Sequence, residues 1–509
     1  MSGGCALNRL KLDLGVGLLG SLWSAALGIA CVPLFIQYLG IESYGLIGFF
    51  VATQALAQLL EMGLAPTISR EVARCGAEGR RGEAVTLVHS VACVYWCVAV
   101  AICLFVVALS GTVARGWLQS QHLSTERLQV AVALMGLVIG CRWPAALYHS
   151  VLLGSMRASV ASGVGVIMST LSNLGALAVL AWGAPTIEAF FLWQGAVALL
   201  NTMVMRAAAW RVLGRAGRRF DLDSLRRIWR FATGMASVSV AGAVLMHADK
   251  LILSRLLPLP EFGRYALAGV VASGLYLLMT PTFNVIYPRM TALVARRDDA
   301  GLRSFYITGS CLLASVLFPI AATGAVFSHE LLLVWTRDSS LADGAAPLVS
   351  LLLAGTALNG VMNFPYALQL SAGLTRLPLL ICIFMIVMIV PLTMVLASSY
   401  GAIGGAAAWA TLNLTYVAVG VWMTHRKLLP GIGAKWVISC VLIPGVCSSV
   451  VLLACKRAIH YLDFAPGMSL AMGMVAGALC IAALLIAPAR NREVMRSIFP
   501  IALLRRAAR

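Results

Sequence analysis

Charge is scarce in this chain of 509 residues: 11% are Asp, Glu, Lys or Arg, against 61% hydrophobic. So little polar surface cannot cover a water-soluble globule of this length, and the apolar excess must face lipid. Acid is scarcer still, with 19 Asp and Glu against 38 Lys and Arg. Long polar segments are also missing. The apolar stretches follow one another through short connections, leaving no room for a nucleotide-sugar domain, and no enzymatic activity is expected. No G-x-x-x-x-G-K-[ST] loop occurs, which argues against ATP hydrolysis by this chain; energy for transport, if any is used, is expected from an ion gradient or the substrate's own gradient. Thirteen cysteines include no C-x-x-C pair. Most stand singly inside apolar stretches (Cys31, Cys103, Cys141, Cys311, Cys382, Cys480), where a thiol packs as a small hydrophobe. Cys93 and Cys97 share a helix face, but no matched ligand set accompanies them, so neither metal nor cofactor is expected.

What the chain does have is spans. A membrane-crossing helix needs roughly 20 apolar residues. Fourteen such stretches are legible, at about 14–37, 44–64, 85–109, 128–149, 159–181, 187–205, 232–254, 263–287, 305–327, 347–370, 377–397, 402–424, 436–455 and 467–487. The first follows Arg9 and Lys11, is too long for a signal peptide and lacks a small-x-small site, so it is expected to remain as a helix. Loops on the amino-terminal side carry 29 Lys and Arg, those on the other side 6. By the positive-inside rule both termini are expected in the cytoplasm. The densest run, Arg206 to Arg230 with eight arginines, is expected along anionic membrane lipids. It has no aromatic-interleaved fold that would make it a nucleic-acid patch.

The two halves echo each other at a nearly constant offset of 218 to 219 residues. Tyr44-Gly45 recurs as Phe262-Gly263, Arg70 as Arg289, Tyr148 as Tyr366, Gly154 as Gly373 and Arg157 as Arg376. Apolar residues match cheaply by chance; tyrosine, glycine and arginine landmarks in one register do not. The expected fold is therefore an all-α polytopic membrane protein of about fourteen transmembrane helices. Each repeat has six spans, an even number that returns the chain to its starting side, so two six-helix lobes should be related by a pseudo-twofold axis along the membrane normal. The expected divisions are 1–231 (helices 1 to 6 and the basic linker), 232–430 (helices 7 to 12) and 431–509 (helices 13 and 14 with a basic tail), with a binding cleft between lobes. Prolines inside spans (Pro33, Pro144, Pro281, Pro319, Pro365, Pro391, Pro444) permit kinks.

A charge within a span costs about 2.5 to 3.5 kcal/mol at the bilayer centre and should face water or a partner. Arg142, two residues before Pro144, fits a phosphate grip through two parallel hydrogen bonds, or a structural pairing with a carboxylate or freed carbonyls. Asp249 or His247 would carry a coupling proton or cation, with Lys250 on an anionic headgroup; the alternative has this cluster snorkelling at the outer interface. Adjacent residues project about 100° apart, so Asp249 and Lys250 are not expected to form a simple ion pair. Glu61 reads as a proton-relay site, or as a partner of Arg70. Arg70, Arg289, Arg157 and Arg376 are either topological anchors or a cationic rim for a diphosphate headgroup. His149 and His89 read as hydrogen-bonded structural histidines.

Tyr38-Leu39-Gly40 through Tyr44-Gly45-Leu46-Ile47-Gly48-Phe49-Phe50, then Glu61-Met62-Gly63-Leu64 and Ser69-Arg70-Glu71-Val72-Ala73-Arg74, resemble the opening of polysaccharide-biosynthesis flippases. These belong to the multidrug, oligosaccharidyl-lipid and polysaccharide exporter superfamily. The likeness continues at Ala248-Asp249-Lys250-Leu251-Ile252-Leu253-Ser254, Tyr287-Pro288-Arg289-Met290, Leu332-Leu333-Val334-Trp335-Thr336 and Asn363-Phe364-Pro365-Tyr366-Ala367-Leu368-Gln369, covering about residues 14 to 430. The resemblance implies two six-helix lobes with a cationic central cavity, and a polyprenyl-diphosphate-linked oligosaccharide moved between leaflets of a bacterial inner membrane. Of the family's positions only Asp249, Lys250 and Arg70 carry over. Polysaccharide polymerase and glycosyltransferases would be its partners. Two other classes stay open: an ion-coupled multidrug or organic-cation antiporter, whose cavity should be dominated by carboxylates and aromatics, and a non-transporting membrane subunit of a glycan-assembly complex.

Overall fold

A computed structural model of the chain describes residues 3–59, 61, 64–214, 220–374, 376–462 and 464–486. Met62 and Gly63 of the motif, residues 215–219 of the basic run and the basic tail from 487 lie outside the described residues. Among those described, the protein is all-α, its one extended contact being an isolated bridge between Gln119 and Pro258. Contacts divide the chain into two compact units, Met1–Gly263 and Arg264–Arg509.

The first unit runs through α1 (Gly3–Leu59), α2 (Leu64–Ala77), α3 (Arg81–Gly116), α4 (Thr125–Arg142), α5 (Ala145–Gly154), α6 (Ala158–Trp182), α7 (Ile187–Leu213) and α8 (Leu222–Leu256) into the start of α9 (Leu259–Ser273). The second contains the rest of α9, then α10 (Tyr276–Ala295), α11 (Asp299–Val326), α12 (Ser328–Thr336), α13 (Ser339–Val361), α14 (Asn363–Ser371), α15 (Arg376–Thr415), α16 (Val421–Leu428), α17 (Gly433–Val437), α18 (Ile443–His460) and α19 (Pro466–Ile486). Helix α8 packs on α1, α2 and α3 and falls within the first of these units.

Ten helices among the described residues are long and apolar enough to cross a membrane, eleven with the bent pair α9 and α10 taken as one. Two of the ten, Leu19–Leu59 and Arg376–Leu428, have 41 and 53 residues. At about 1.5 Å per residue each is long enough to cross a hydrocarbon core of about 30 Å twice. Each reverses at one glycine in the left-handed half of backbone space, Gly40 (φ 79°) and Gly401 (φ 60°). The sequence expects short loops at these two places; the chain needs only a residue without a Cβ. Counted as two spans each, they raise the total to thirteen, and α8 stands where the seventh span is expected.

The repeat is visible inside each unit. In the first, α4 ends at Arg142 and α5 restarts at Ala145; in the second, α13 ends at Val361 and α14 restarts at Asn363. Helix α2 packs on α5 as α10 packs on α14, and α4 on α7 as α13 on α15. In the second unit the thiols of Cys311 and Cys440 lie 2.8 Å apart, so Cys311 is not the isolated packer its position in the sequence implies.

Within the first unit the two offset-related glycines meet. A Cβ added to Gly45 would lie 2.6 Å from the Leu259 carbonyl oxygen, and one added to Gly263 would collide with the Ile41 carbonyl. Two backbones touch where only hydrogen fits. Gly45→Val should therefore cost about 1–3 kcal/mol by overpacking, while Gly76→Ala, with open space around it, should leave thermal unfolding in detergent unchanged.

Candidate functional site

A cavity of about 780 Å³ lies inside the first unit, walled by α1, α4, α5, α6 and α7. Along α1 beyond Gly40, Tyr44, Ile47, Val51, Gln54 and Gln58 line it, with Glu61 just after the helix. Steps of three and four residues put these on one helix face. That face is apolar at Ile47 and Val51 and polar from Gln54 onward. Opposite, small residues leave the volume open: Ser21, Ser24 and Gly28 on α1 before Gly40, and Ser162, Gly165 and Ser169 on α6. Helices α6 and α7 are locked together by a reciprocal pair. The Ser172 hydroxyl donates to Gln194 Oε1 at 2.7 Å, and Gln194 Nε2 donates to the Ser172 carbonyl at 3.2 Å.

Arg142 enters this cavity because its helix breaks beside it. Pro144 has no N–H to continue α4, so the helix stops at Arg142 and restarts at Ala145. Between them, Trp143 packs on Tyr95 with ring centroids 4.5 Å apart and donates its indole N–H to the Ala57 carbonyl at 3.2 Å. The guanidinium donates through Nη1 to Gln54 Oε1 at 2.9 Å. Among the described residues it enters no ion pair. The pairing of Arg142 with a carboxylate, one of the two structural options read from sequence, is thus replaced by a neutral amide. Glu61 also lines the cavity and takes its hydrogen bond from the buried Tyr95 hydroxyl, at 3.4 Å, rather than from Arg70.

Of the nine residues singled out from sequence, the cavity gathers Arg142 and Glu61. Asp249 is 2% exposed on α8, and Lys250 Nζ reaches its Oδ2 at 3.5 Å. This corrects the expectation that the two do not pair: the four-carbon lysine stem spans the 100° between them. His247 Nδ1 is buried, with no hydrogen-bond partner among the described residues. Arg70 on α2 and Arg157, just before α6, are exposed outside this wall. In the second unit Arg289 lies over the Phe305 ring at 5.0 Å, and Arg376 is the exposed first residue of α15. The sequence reading missed Gln54, Gln58, the α6 serines and His149, an exposed cavity residue where a structural histidine was expected. A signal was present, since Gln54, Gln58 and Glu61 recur at helical spacing within an apolar span.

The wall thus offers one guanidinium, one carboxylate and many hydroxyls and amides, with aromatic rings at Phe35, Phe50 and Phe190. Such a lining suits a polar, hydroxyl-rich group; the volume lies in the range of about 300–1,000 Å³ usual for small-ligand sites.

The polysaccharide biosynthesis protein family matches residues 13–294, more than half the chain. The chain belongs to that family. A Shigella flexneri protein named for O-antigen transport is 18% identical over 389 residues, covering 76% of this chain and 91% of its own. Among solved structures, an inward-facing multidrug-resistance MATE transporter superposes with a TM-score of 0.69 at 15% identity, covering 84% of this chain and 99% of its own. The lipid II flippase MurJ, in an inward closed conformation, superposes with 0.65 at 14% identity, covering 94% and 99%. At such identities these likenesses show the fold alone, that of the multidrug, oligosaccharidyl-lipid and polysaccharide superfamily. This polysaccharide biosynthesis protein is accordingly a polytopic membrane protein.

If the cavity is wet, single cysteines at Gln58 and Ser169, in a chain otherwise cleared of cysteine, should be modified by a charged maleimide. A cysteine at the exposed, apolar Val387, embedded in lipid, should not. Equal protection at all three sites would mean a dry cavity.

Proposed function

We propose that this protein is a flippase that carries a polyprenyl-diphosphate-linked oligosaccharide, an O-antigen or related repeat unit, from the cytoplasmic to the periplasmic leaflet of a bacterial inner membrane by alternating access. The observation that carries the reading is Arg142, a guanidinium paired with a neutral amide in a cavity lined by hydroxyls and amides. A sugar diphosphate cannot cross hydrocarbon unaided and needs a polar path with a cation for its phosphates. The names of the Shigella relative and of MurJ accord with such a cargo. An antiporter for organic cations would favour carboxylates where this wall places Arg142 beside Gln54.

In this reading both termini are cytoplasmic, as the bias of 29 basic residues to 6 supports. Helices 1 to 6 and 7 to 12 act as lobes, and the last two spans are peripheral. Arg70, Arg157, Arg289 and Arg376 form a rim that collects the headgroup, Lys250 contacts it, and Asp249, His247 or Glu61 carries a coupling ion. Glycosyltransferases supply the substrate and a polymerase consumes it.

The test is leaflet-to-leaflet movement of lipid-linked oligosaccharide in liposomes. Losing a charge-assisted hydrogen bond of about 1.5–3 kcal/mol, Arg142→Ala should slow movement by about ten- to a hundredfold, with Arg142→Lys in between. Wild-type protein that moves no glycolipid but takes up an organic cation would overturn the proposal.

A further inference from the structure

We infer that Gln54 is a positioning residue that sets the sign of charge the cavity accepts. This rests on the flippase reading and names the side chain that makes Arg142 serve it. A buried arginine usually sits beside a carboxylate, which consumes its charge. Here the guanidinium is fixed by Gln54 Oε1 at 2.9 Å, a neutral acceptor 88 residues away in the chain. The hydrogen bond aims the planar fork while leaving its full positive charge and the donors not used on Gln54 available. The chemistry that completes such a site is a phosphoryl oxygen, which accepts the free donors and balances the charge. Glu61, the other charged residue of the wall, lies seven positions farther along the same face and is engaged by Tyr95. A carboxylate in place of Gln54 would sit on Arg142 in the same geometry, neutralise it and leave Glu61 as the uncompensated charge. The wall would then prefer a cation.

The inference is tested by binding to full-length purified protein, by calorimetry, with farnesyl diphosphate, farnesol, inorganic pyrophosphate and tetraphenylphosphonium as probes. Wild-type protein should bind farnesyl diphosphate more tightly than the other three. Gln54→Glu should weaken it at least tenfold and gain tetraphenylphosphonium binding, an effect that a merely structural role would not produce. Gln54→Met, which keeps the volume and removes the acceptor, should weaken it about threefold without gaining the cation; it carries the test alone if Gln54→Glu does not fold. Undiminished diphosphate binding in both variants, or equal loss in both without cation binding, overturns the assignment to Gln54. Farnesol bound as tightly as its diphosphate overturns the phosphate, and pyrophosphate bound as tightly overturns the lipid as its source. Loss of the flippase reading would look different, as wild-type liposomes that move no glycolipid at all.

Discussion

A guanidinium held among apolar helices is the constraint on which the first unit depends. Placing Arg142 inside a bilayer costs about 2.5 to 3.5 kcal/mol on insertion scales unless water and a hydrogen-bond partner attend it. The surroundings supply the partner and leave space for water. The break at Pro144 brings the arginine to the end of α4, Gln54 meets it from α1, and the serines and glycines of α1 and α6 keep the space before it open. Replace those small residues by leucine and the cavity fills, leaving a charge with nowhere to go. The lining and the arginine are therefore one feature of the sequence, spread over five helices.

The scaffold is duplicated, but this chemistry is not. The broken fourth span recurs in the second unit at α13 and α14, and the packing of α2 on α5 recurs as α10 on α14. At the same offset, however, Arg142 corresponds to Gly360 or Val361, Gln54 to Ala272 or Ser273, and Glu61 to Met279 or Thr280. The polar groups that the second unit does place nearby satisfy one another. Asn359 Nδ2 donates to Asn413 Oδ1 at 2.9 Å, and the Trp409 indole donates to Thr356 at 3.2 Å. Around Gly360, Leu317 and Met279 occupy the space that a Cβ would take. Duplication supplied the helices; divergence left the arginine, the glutamine and the carboxylate in one copy.

This division explains what was legible in the sequence. Spans and the repeat are one-dimensional properties, set by runs of apolar residues and by a constant offset. Arg142 was legible for the same reason, as a charge where hydropathy forbids one. Its partner was not, because Gln54 and Arg142 are 88 residues apart and neither periodicity nor composition specifies which faces meet. The Tyr95 hydroxyl on Glu61, 34 residues away, was hidden in the same way. The Lys250 contact with Asp249 failed for a different reason: helical projection angles fix where a side chain starts, while a long flexible stem decides where it ends. The reversals at Gly40 and Gly401 were placed correctly as boundaries between spans, but a glycine's positive φ is a backbone property that hydropathy does not encode.

In the proposed function a carrier of lipid-linked sugars must also let go, and the composition of this wall bears on that. Several arginines inside the cavity wall, beyond the proposed rim, would hold a diphosphate with multiple charge-assisted bonds, each about 1.5–3 kcal/mol, and trap the complex. One guanidinium supplemented by hydroxyls and amides gives a hold that a change of conformation can undo, the condition for conduction through any binding site. The size of the site points the same way. In the proposed function a cavity of about 780 Å³ with a polar inner face at Gln54, Gln58 and Arg142 would take the phosphorylated sugar and not the polyprenyl chain, whose burial there would strip those groups of water for no hydrogen bond in return. In the proposed reaction the tail therefore stays in the bilayer throughout, and the protein need only supply a path for the part of the substrate that lipid refuses.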